Sequence, residues 1–307
     1  VIIIGSGPGG LTAGIYTSRA MRDTLIFEGD SPGGLLVGNP TVQNWPGIKE
    51  ISGFELMQEM RNHAKHAGCK LVSDYVTGVD FSKLPYKIFT RSGREYKTKA
   101  MIIAMGVQRR KINCPGESEY WHKGVSACAT CDAPLFRGKK VVVVGGGATA
   151  LTEAHHLSHF AKEVTVIHRS ARFRTLDPIK YVIEKDENVI VKHNLLIEEI
   201  KGDGRRVTSV VVKDSLTEKI SNIKTDGLFV AIGFDPNTKM FEGKIRLDER
   251  GYIQVFEGAQ TSQEGVFAAG DIIHHDYQQA VVASGDGCRA SLDCVKYLDV
   301  LNARDDS

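Results

Sequence analysis

One local grammar occurs twice in this chain, and it limits the possible folds more than any other feature. Residues 1–20, VIIIGSGPGGLTAGIYTSRA, run from an apolar, β-branched stretch through Gly5, Gly7 and Gly10 into a helical pattern. Residues 141–157, VVVVGGGATALTEAHHL, repeat it with Gly145, Gly147 and Ala150. Strand, G-x-G-x-x-G/A turn and helix open a dinucleotide-binding βαβ unit. The first small residue makes the tight turn, the second lets a pyrophosphate approach the backbone, and the third lets helix and strand pack. The pyrophosphate then lies at a helix N-terminus, where unpaired N–H groups and the dipole favour negative charge. The copies agree beyond the glycines. Glu28 stands eighteen residues after Gly10, and His168 eighteen after Ala150. Each copy also closes on an apolar strand ending Ala-x-Gly, at Gly106 and Gly233.

The two second-strand tips differ in charge. Glu28 can accept hydrogen bonds from ribose hydroxyls, as an adenosine without a 2′-phosphate requires. The other tip, HRSARFR, carries Arg169, Arg172 and Arg174 and no carboxylate, and guanidinium groups suit a 2′-phosphate. The first loop, with Gly5, Gly7, Pro8, Gly10 and Glu28, is therefore expected to hold FAD. The second is expected to hold NADPH through Gly145, Gly146, Gly147, Ala148, Thr149 and Ala150, together with Glu153, His168, Arg169 and Arg174. A chain of 307 residues has room for about two domains. After Gly233 there remain a strand, an aspartate and a long amphipathic helix, too little for a third domain, so this tail is expected to return to the first. The expected fold class is α/β, with two Rossmann-like dinucleotide-binding domains. The NADPH domain (109–241) is inserted into a split FAD domain (1–108 and 242–307).

Charge narrows the partners. The formal net charge is +2, with acids and bases mixed along the chain. Neither nucleic acid nor a membrane surface is expected as a partner, and the apolar runs are too short to span a bilayer. The N-terminus has no basic region ahead of its apolar run, unlike a signal peptide. It also starts inside a strand pattern without a Met, so a few residues are expected ahead of it. Six cysteines include one close pair, Cys128 and Cys131 in GVSACATCDAP, and the rest are scattered. That is not a secreted disulfide framework, and a reducing, cytoplasmic compartment is expected. A C-x-x-C pair can grip zinc, close a structural disulfide or pass electrons. Zinc wants a second ligand pair, and none follows at finger spacing. No metal site is expected, the histidines at 155, 156 and 159 included.

GSGPGG, NWPG (Asn44–Gly47), GVSACATCD, GGGATA, HRSARFR and GVFAAGD follow one another in this order. By these motifs the chain resembles, nearly end to end, the low-molecular-weight thioredoxin reductases. The resemblance implies a homodimer, with FAD in the split domain and the redox disulfide in the NADPH domain. It adds Gly33, Gly34, Leu35 (where Gln is common), Asn44, Asp271 and the helix start at Gln279 and Ala280 as FAD ligands. The activity it implies is that of an NADPH-dependent thioredoxin-disulfide reductase. Electrons would pass from NADPH through FAD to Cys128–Cys131 and on to thioredoxin or a similar disulfide protein. Cys131 would face the flavin and Cys128 would attack the partner.

Asp132 is placed to exchange the proton of each thiol step; the plainer alternative is a helix-capping aspartate. Nicotinamide and disulfide ride on one inserted body yet must both meet one flavin, so that body is expected to swing about its linkers. Ser170 replaces the second Arg of the family's His-Arg-Arg, and Met105, Gln278 and Ala133 also depart from its pattern. None of these removes a reacting atom. His274 and His275, which follow Asp271, are either flavin neighbours or a polar loop. The rival readings are a flavin dithiol oxidase of the same fold and a reductase of another disulfide partner.

Overall fold

The computed structural model describes residues 1–173, 175 and 177–305. The chain divides into two units, Val1–Gln108 with Phe234–Ser307, and Arg109–Gly233. The first contributes β1 (Ile2–Ile4), β2 (Leu25–Phe27), β3 (Lys70–Val72) and β4 (Met101–Ile103) before the insertion. The second contributes β5 (Lys140–Val144), β6 (Glu163–Ile167), β7 (Val189–Lys192) and β8 (Gly227–Val230), and the chain then returns with β9 (Val266–Ala268). In space the first sheet runs β9-β4-β1-β2-β3. The second runs β7-β6-β5-β8 with Val125–Ser126 at its edge. All pairings in both are parallel. The order β4-β1-β2-β3 recurs as β8-β5-β6-β7, so the sequence repeat is a repeat of topology.

Alternation along the strands builds two cores per unit, because successive side chains leave opposite faces of a strand. Ile3, Ile26, Ile102 and Phe267 face one side of the first sheet, while Ile2, Ile4, Phe27, Met101 and Ile103 face the other. Val141, Val143, Val164 and Phe229 divide from Val142, Ile167, Leu228 and Val230 in the same way. On the first face, helix α1 (Pro8–Arg19) sets Leu11 and Ala13 against Ala290, Cys294 and Leu298 of the C-terminal helix Ala280–Asp305. The other face is covered by a three-stranded antiparallel sheet, Val76–Asp80, Tyr86–Thr90 and Glu95–Thr98, which supplies Val76, Val79 and Ile88. The second unit repeats this device with Leu195–Gly202, Val207–Asp214 and Ile220–Lys224. Neither antiparallel sheet is expected from the sequence pattern.

The two crossover segments, Val107–Arg109 and Phe234–Pro236, pair as a two-stranded sheet. Asn237 ties them further, its side-chain amide donating to the Met105 carbonyl (2.8 Å) and its N–H to that of Gly106 (3.1 Å). Residues 234–241 were expected with the inserted part but belong to the first unit. Phe241 is fully buried in that unit's core beside Ile245 and Ile253, and this burial fixes the segment there.

Candidate active site

The redox pair sits on a single turn. Val125–Ser126 ends at the edge of the second sheet, and Cys128 then caps helix α2 (Ala129–Asp132). Cys128 and Cys131 are joined as a disulfide, with Cα atoms 5.3 Å apart. The Cys131 N–H donates to Cys128 Sγ at 3.2 Å, a contact that favours a thiolate there once the pair is reduced. Ser126 Oγ donates to Asp132 Oδ2 (2.6 Å) and accepts from the Cys128 N–H (3.1 Å). Asp132 ends the turn, and its side chain caps nothing, so the capping alternative fails. Burial pushes its carboxyl up, partly countered by Ser126 and by His122.

Glu153 reaches the same turn from below. It lies in helix α3 (Ala148–Ser158), and its carboxyl accepts from the Ala129 N–H. The residue as a whole is half-buried, but Oε2 is shut off from solvent and has no hydrogen-bond partner among the described residues. Burial, with the Asp132 charge adding to it, pushes this carboxyl up to about 8. The expected nicotinamide-nucleotide ligand is thus also a neighbour of the disulfide turn.

Both glycine loops have the shape a pyrophosphate needs. Gly5 has φ +109°, and a Cβ there would lie 2.2 Å from the Ala104 carbonyl oxygen. A Cβ on Gly10 would lie 1.9 Å from the Gly5 oxygen. In the second copy a Cβ on Gly145 would meet the Ala231 oxygen at 2.3 Å and the Ala150 methyl at 2.7 Å. Gly7 and Gly147, the N-caps of α1 and α3, instead have nothing within 4 Å of that position. Closed packing at the outer positions and open space at the middle one make a cradle beside the first-turn N–H groups of each helix. Pro8 suits the start of α1, and Ala148 and Thr149 open α3. Each cradle lies at the carboxyl edge of a first strand flanked by the second and fourth, where the strand order reverses. Open α/β sheets bind ligands at such a switch point.

The remaining FAD candidates gather around the first loop. Glu28 is buried at the tip of β2, held by Arg61 Nε (2.6 Å) and Nη2 (2.8 Å) and by Ser73 (3.1 Å). Burial works to raise its carboxyl, but these bonds outweigh burial and hold it below its ordinary value. Oε1 accepts one of these bonds and Oε2 the other two. Ser6, within the loop, accepts from the Gly33 N–H at 3.1 Å, and a Cβ on Gly34 would come within 3.7 Å of Gly7 Cα. Leu35 is 42% exposed. Asn44 donates to Gln279 at 3.3 Å, across 235 residues of chain, and Ala280 begins the C-terminal helix. Asp271 is pushed up to about 6 by burial and by neighbouring Asp286. Asp286 in turn meets His274 (2.9 Å) and Arg289 (2.6 Å), while His275 faces Asp276 at 2.7 Å. Thus His274 lies in the loop after Asp271 and pairs there with buried Asp286.

At the second tip the structure redistributes the expected roles. His168 is 2% exposed and lies beneath the loop; a Cβ on Gly146 would strike its Nδ1 at 2.1 Å. Its Nε2 meets the Arg172 carbonyl at 3.0 Å, so it supports the arginine loop from inside. Arg169 and Arg172 are exposed, and Arg174 lies outside the described residues. His155 and His159 meet edge to face with ring centroids 4.7 Å apart, and His155 faces Asp186. Among the described residues no group of three or more His, Cys, Asp or Glu side chains could hold a metal. No helix is long and apolar enough to cross a membrane, counted over those residues. Ser6, Arg61, Ser126, Asp286 and His193 escaped the sequence reading. Only Ser126, two residues before the first cysteine, carried a local signal.

Residues 1–287 match the pyridine nucleotide-disulphide oxidoreductase family, and the chain belongs to it. Within that family it is a low-molecular-weight thioredoxin reductase by likeness over nearly its whole length, and it is an NADPH-dependent flavoprotein disulfide reductase with FAD as its other cofactor. The thioredoxin reductase of Coxiella burnetii is 43% identical, covering 98% of this chain and 97% of its own. That of Escherichia coli O157:H7 is 42% identical over 98% and 96%. The solved thioredoxin reductase from Giardia duodenalis superposes with a TM-score of 0.93 at 40% identity, over 97% of this chain and 98% of its own.

Proposed function

We propose that the natural electron acceptor is thioredoxin, reduced by Cys128, with the first unit holding FAD and the second NADPH. The observation that carries this reading is the Cys128–Cys131 disulfide set beside a half-buried Asp132. Bound FAD supplies the two-electron link between the NADPH hydride and that disulfide. The two cradles at Gly7 and Gly147 seat the pyrophosphates, Glu28 takes the unphosphorylated ribose, and Arg169 and Arg174, with Arg172 beside them, take the 2′-phosphate. Asn44, Gln279, Ala280, Gly33, Gly34, Leu35 and Asp271 complete the first site.

Once the pair is reduced, the Cys128 thiolate attacks one sulfur of the partner's disulfide, and the other sulfur leaves. Asp132 gives that leaving thiolate its proton. Cys131, deprotonated in turn, attacks Cys128 Sγ and releases the second partner thiol, so the intramolecular disulfide returns. Over one cycle NADPH, one proton and a protein disulfide give NADP⁺ and a protein dithiol. A swing of the inserted unit about the paired crossover segments would let nicotinamide and disulfide take turns at one flavin.

A homodimer is part of this reading. It is supported by the family likeness and by exposed Met21, Phe54 and Leu292 on the first unit, and light scattering on the FAD-loaded protein tests it. A cytoplasmic location is also part of it, supported by the scattered free cysteines. Anaerobic addition of NADPH to the FAD-loaded protein tests the main assignment. Flavin absorbance should bleach with NADPH and far less with NADH, and oxidised thioredoxin should restore it. An unbleached flavin that turns over with dithiol and oxygen would establish the dithiol oxidase instead. Bleaching without recovery across a panel of thioredoxins would assign another disulfide partner.

A further inference from the structure

Ser170 lies at the second strand tip between Arg169 and Arg172, and the structure shows what stands behind that position. His193 follows directly on β7, the strand next to β6 in the second sheet. The His168 N–H donates to the Lys192 carbonyl (3.0 Å) and the Leu195 N–H to that of His168 (3.1 Å), which locks the ends of the two strands in register. Within this bracket His193 Nδ1 lies 3.2 Å from the Ser170 carbonyl oxygen, and His168 Nε2 lies 3.0 Å from that of Arg172. Phe173 packs on both rings, with centroids 5.0 Å from His193 and 5.7 Å from His168. Two imidazoles and one phenyl ring therefore hold the backbone of the segment that carries the exposed Arg169 and Arg172.

We propose that His193 is a positioning residue for 2′-phosphate recognition: through the Ser170 carbonyl it fixes the loop so that Arg169 and Arg172 can close on the phosphate together. The inference rests on reading the second loop as the NADPH site. The physical need is plain. Two long guanidinium side chains on an unsupported loop lose backbone and rotamer freedom on gripping an anion, and that loss subtracts from affinity. A loop already pinned at two carbonyls has lost most of it beforehand. The Nδ1–H of His193 is the donor this requires. An asparagine places its amide nitrogen where the histidine Nδ1 stands, whereas a phenylalanine keeps the ring and removes the donor.

The test is calorimetric titration of the FAD-loaded protein with adenosine 2′,5′-bisphosphate and, separately, with 5′-AMP. The native protein should prefer the bisphosphate. His193→Phe should weaken bisphosphate binding by about threefold to tenfold, the worth of one hydrogen bond, and leave 5′-AMP binding unchanged. His193→Asn should restore it to near the native value. In an Arg169→Ala, Arg172→Ala background, His193→Phe should cost nothing more, because the residue acts through those arginines. Native-like bisphosphate binding by His193→Phe overturns the proposal. So does equal loss with Phe and Asn, or a parallel loss of 5′-AMP affinity. A native protein indifferent to the 2′-phosphate overturns the NADPH assignment of the loop itself, which is a separate result.

Discussion

Ser126 Oγ lies 2.6 Å from Asp132 Oδ2 and donates to it, while the same oxygen accepts the Cys128 N–H. One hydroxyl thus joins the Asp132 carboxyl, the proposed proton donor, to the backbone of Cys128, the proposed attacking cysteine. An amide at residue 132 keeps this geometry and removes the proton. Asp132→Asn should therefore slow reduction of a protein disulfide by about a hundredfold, a usual size for one general acid. Reduction of the flavin by NADPH should stay native in the same protein. Stopped-flow absorbance separates the two steps, and equal slowing of both would argue against the assigned role.

Glu153 offers a stability test with a definite sign. Its carboxyl is raised from 4.5 to about 8 in the folded chain, so the folded state holds the proton longer than the unfolded one. The native chain then loses stability as pH rises from 4.5 through 8, and a glutamine at 153 escapes that loss. Glu153→Gln should match the native protein near pH 4 and exceed it by roughly 3 kcal/mol at pH 7. Denaturant unfolding across that range reads the gap directly. A gap that does not change with pH would mean that the carboxyl is not raised.

The ion pair of Arg61 with Glu28 has the opposite sense. Arg61 is 27% exposed and the Glu28 side chain not at all, so removing the arginine strands a buried charge. Arg61→Ala should cost about 3 kcal/mol in the FAD-free chain at pH 7, as broken buried pairs do. The lowered carboxyl contributes stability above its unfolded value of 4.5, and this is lost as pH falls through its folded value. The penalty of Arg61→Ala should accordingly shrink in acid. Unfolding at pH 7 and pH 4 provides the comparison.

Two glycines of the first loop should behave differently. Gly10→Ala forces a methyl against the Gly5 carbonyl and should destabilise the fold by about 2 kcal/mol or more. Gly7 has φ −70°, ordinary for any residue, with open space beside it. Gly7→Ala should fold within about 1 kcal/mol of native yet retain far less FAD, because its methyl enters the cradle. Thermal unfolding paired with flavin content after gel filtration tests both. Full flavin retention by Gly7→Ala would move the cofactor elsewhere.

The sequence by itself determined the two nucleotide units, their strand-turn-helix openings and the redox pair. Each of these is written locally. An unbroken β-branched run, Ile2–Ile4 or Val141–Val144, specifies a strand buried on both faces, and glycine spacing specifies a turn, whatever lies beyond. The partners of the site residues are not local. Arg61 on Glu28, Gln279 on Asn44, Glu153 under Ala129 and His193 behind Ser170 all come from segments brought together by sheet order and helix packing. No periodicity encodes which strand neighbours which, because one apolar face fits many neighbours. Tertiary structure alone decided that His168 supports its loop from beneath and that residues 234–241 return early to the first unit. In both cases burial of a ring, imidazole or phenyl, settled what the local pattern left open.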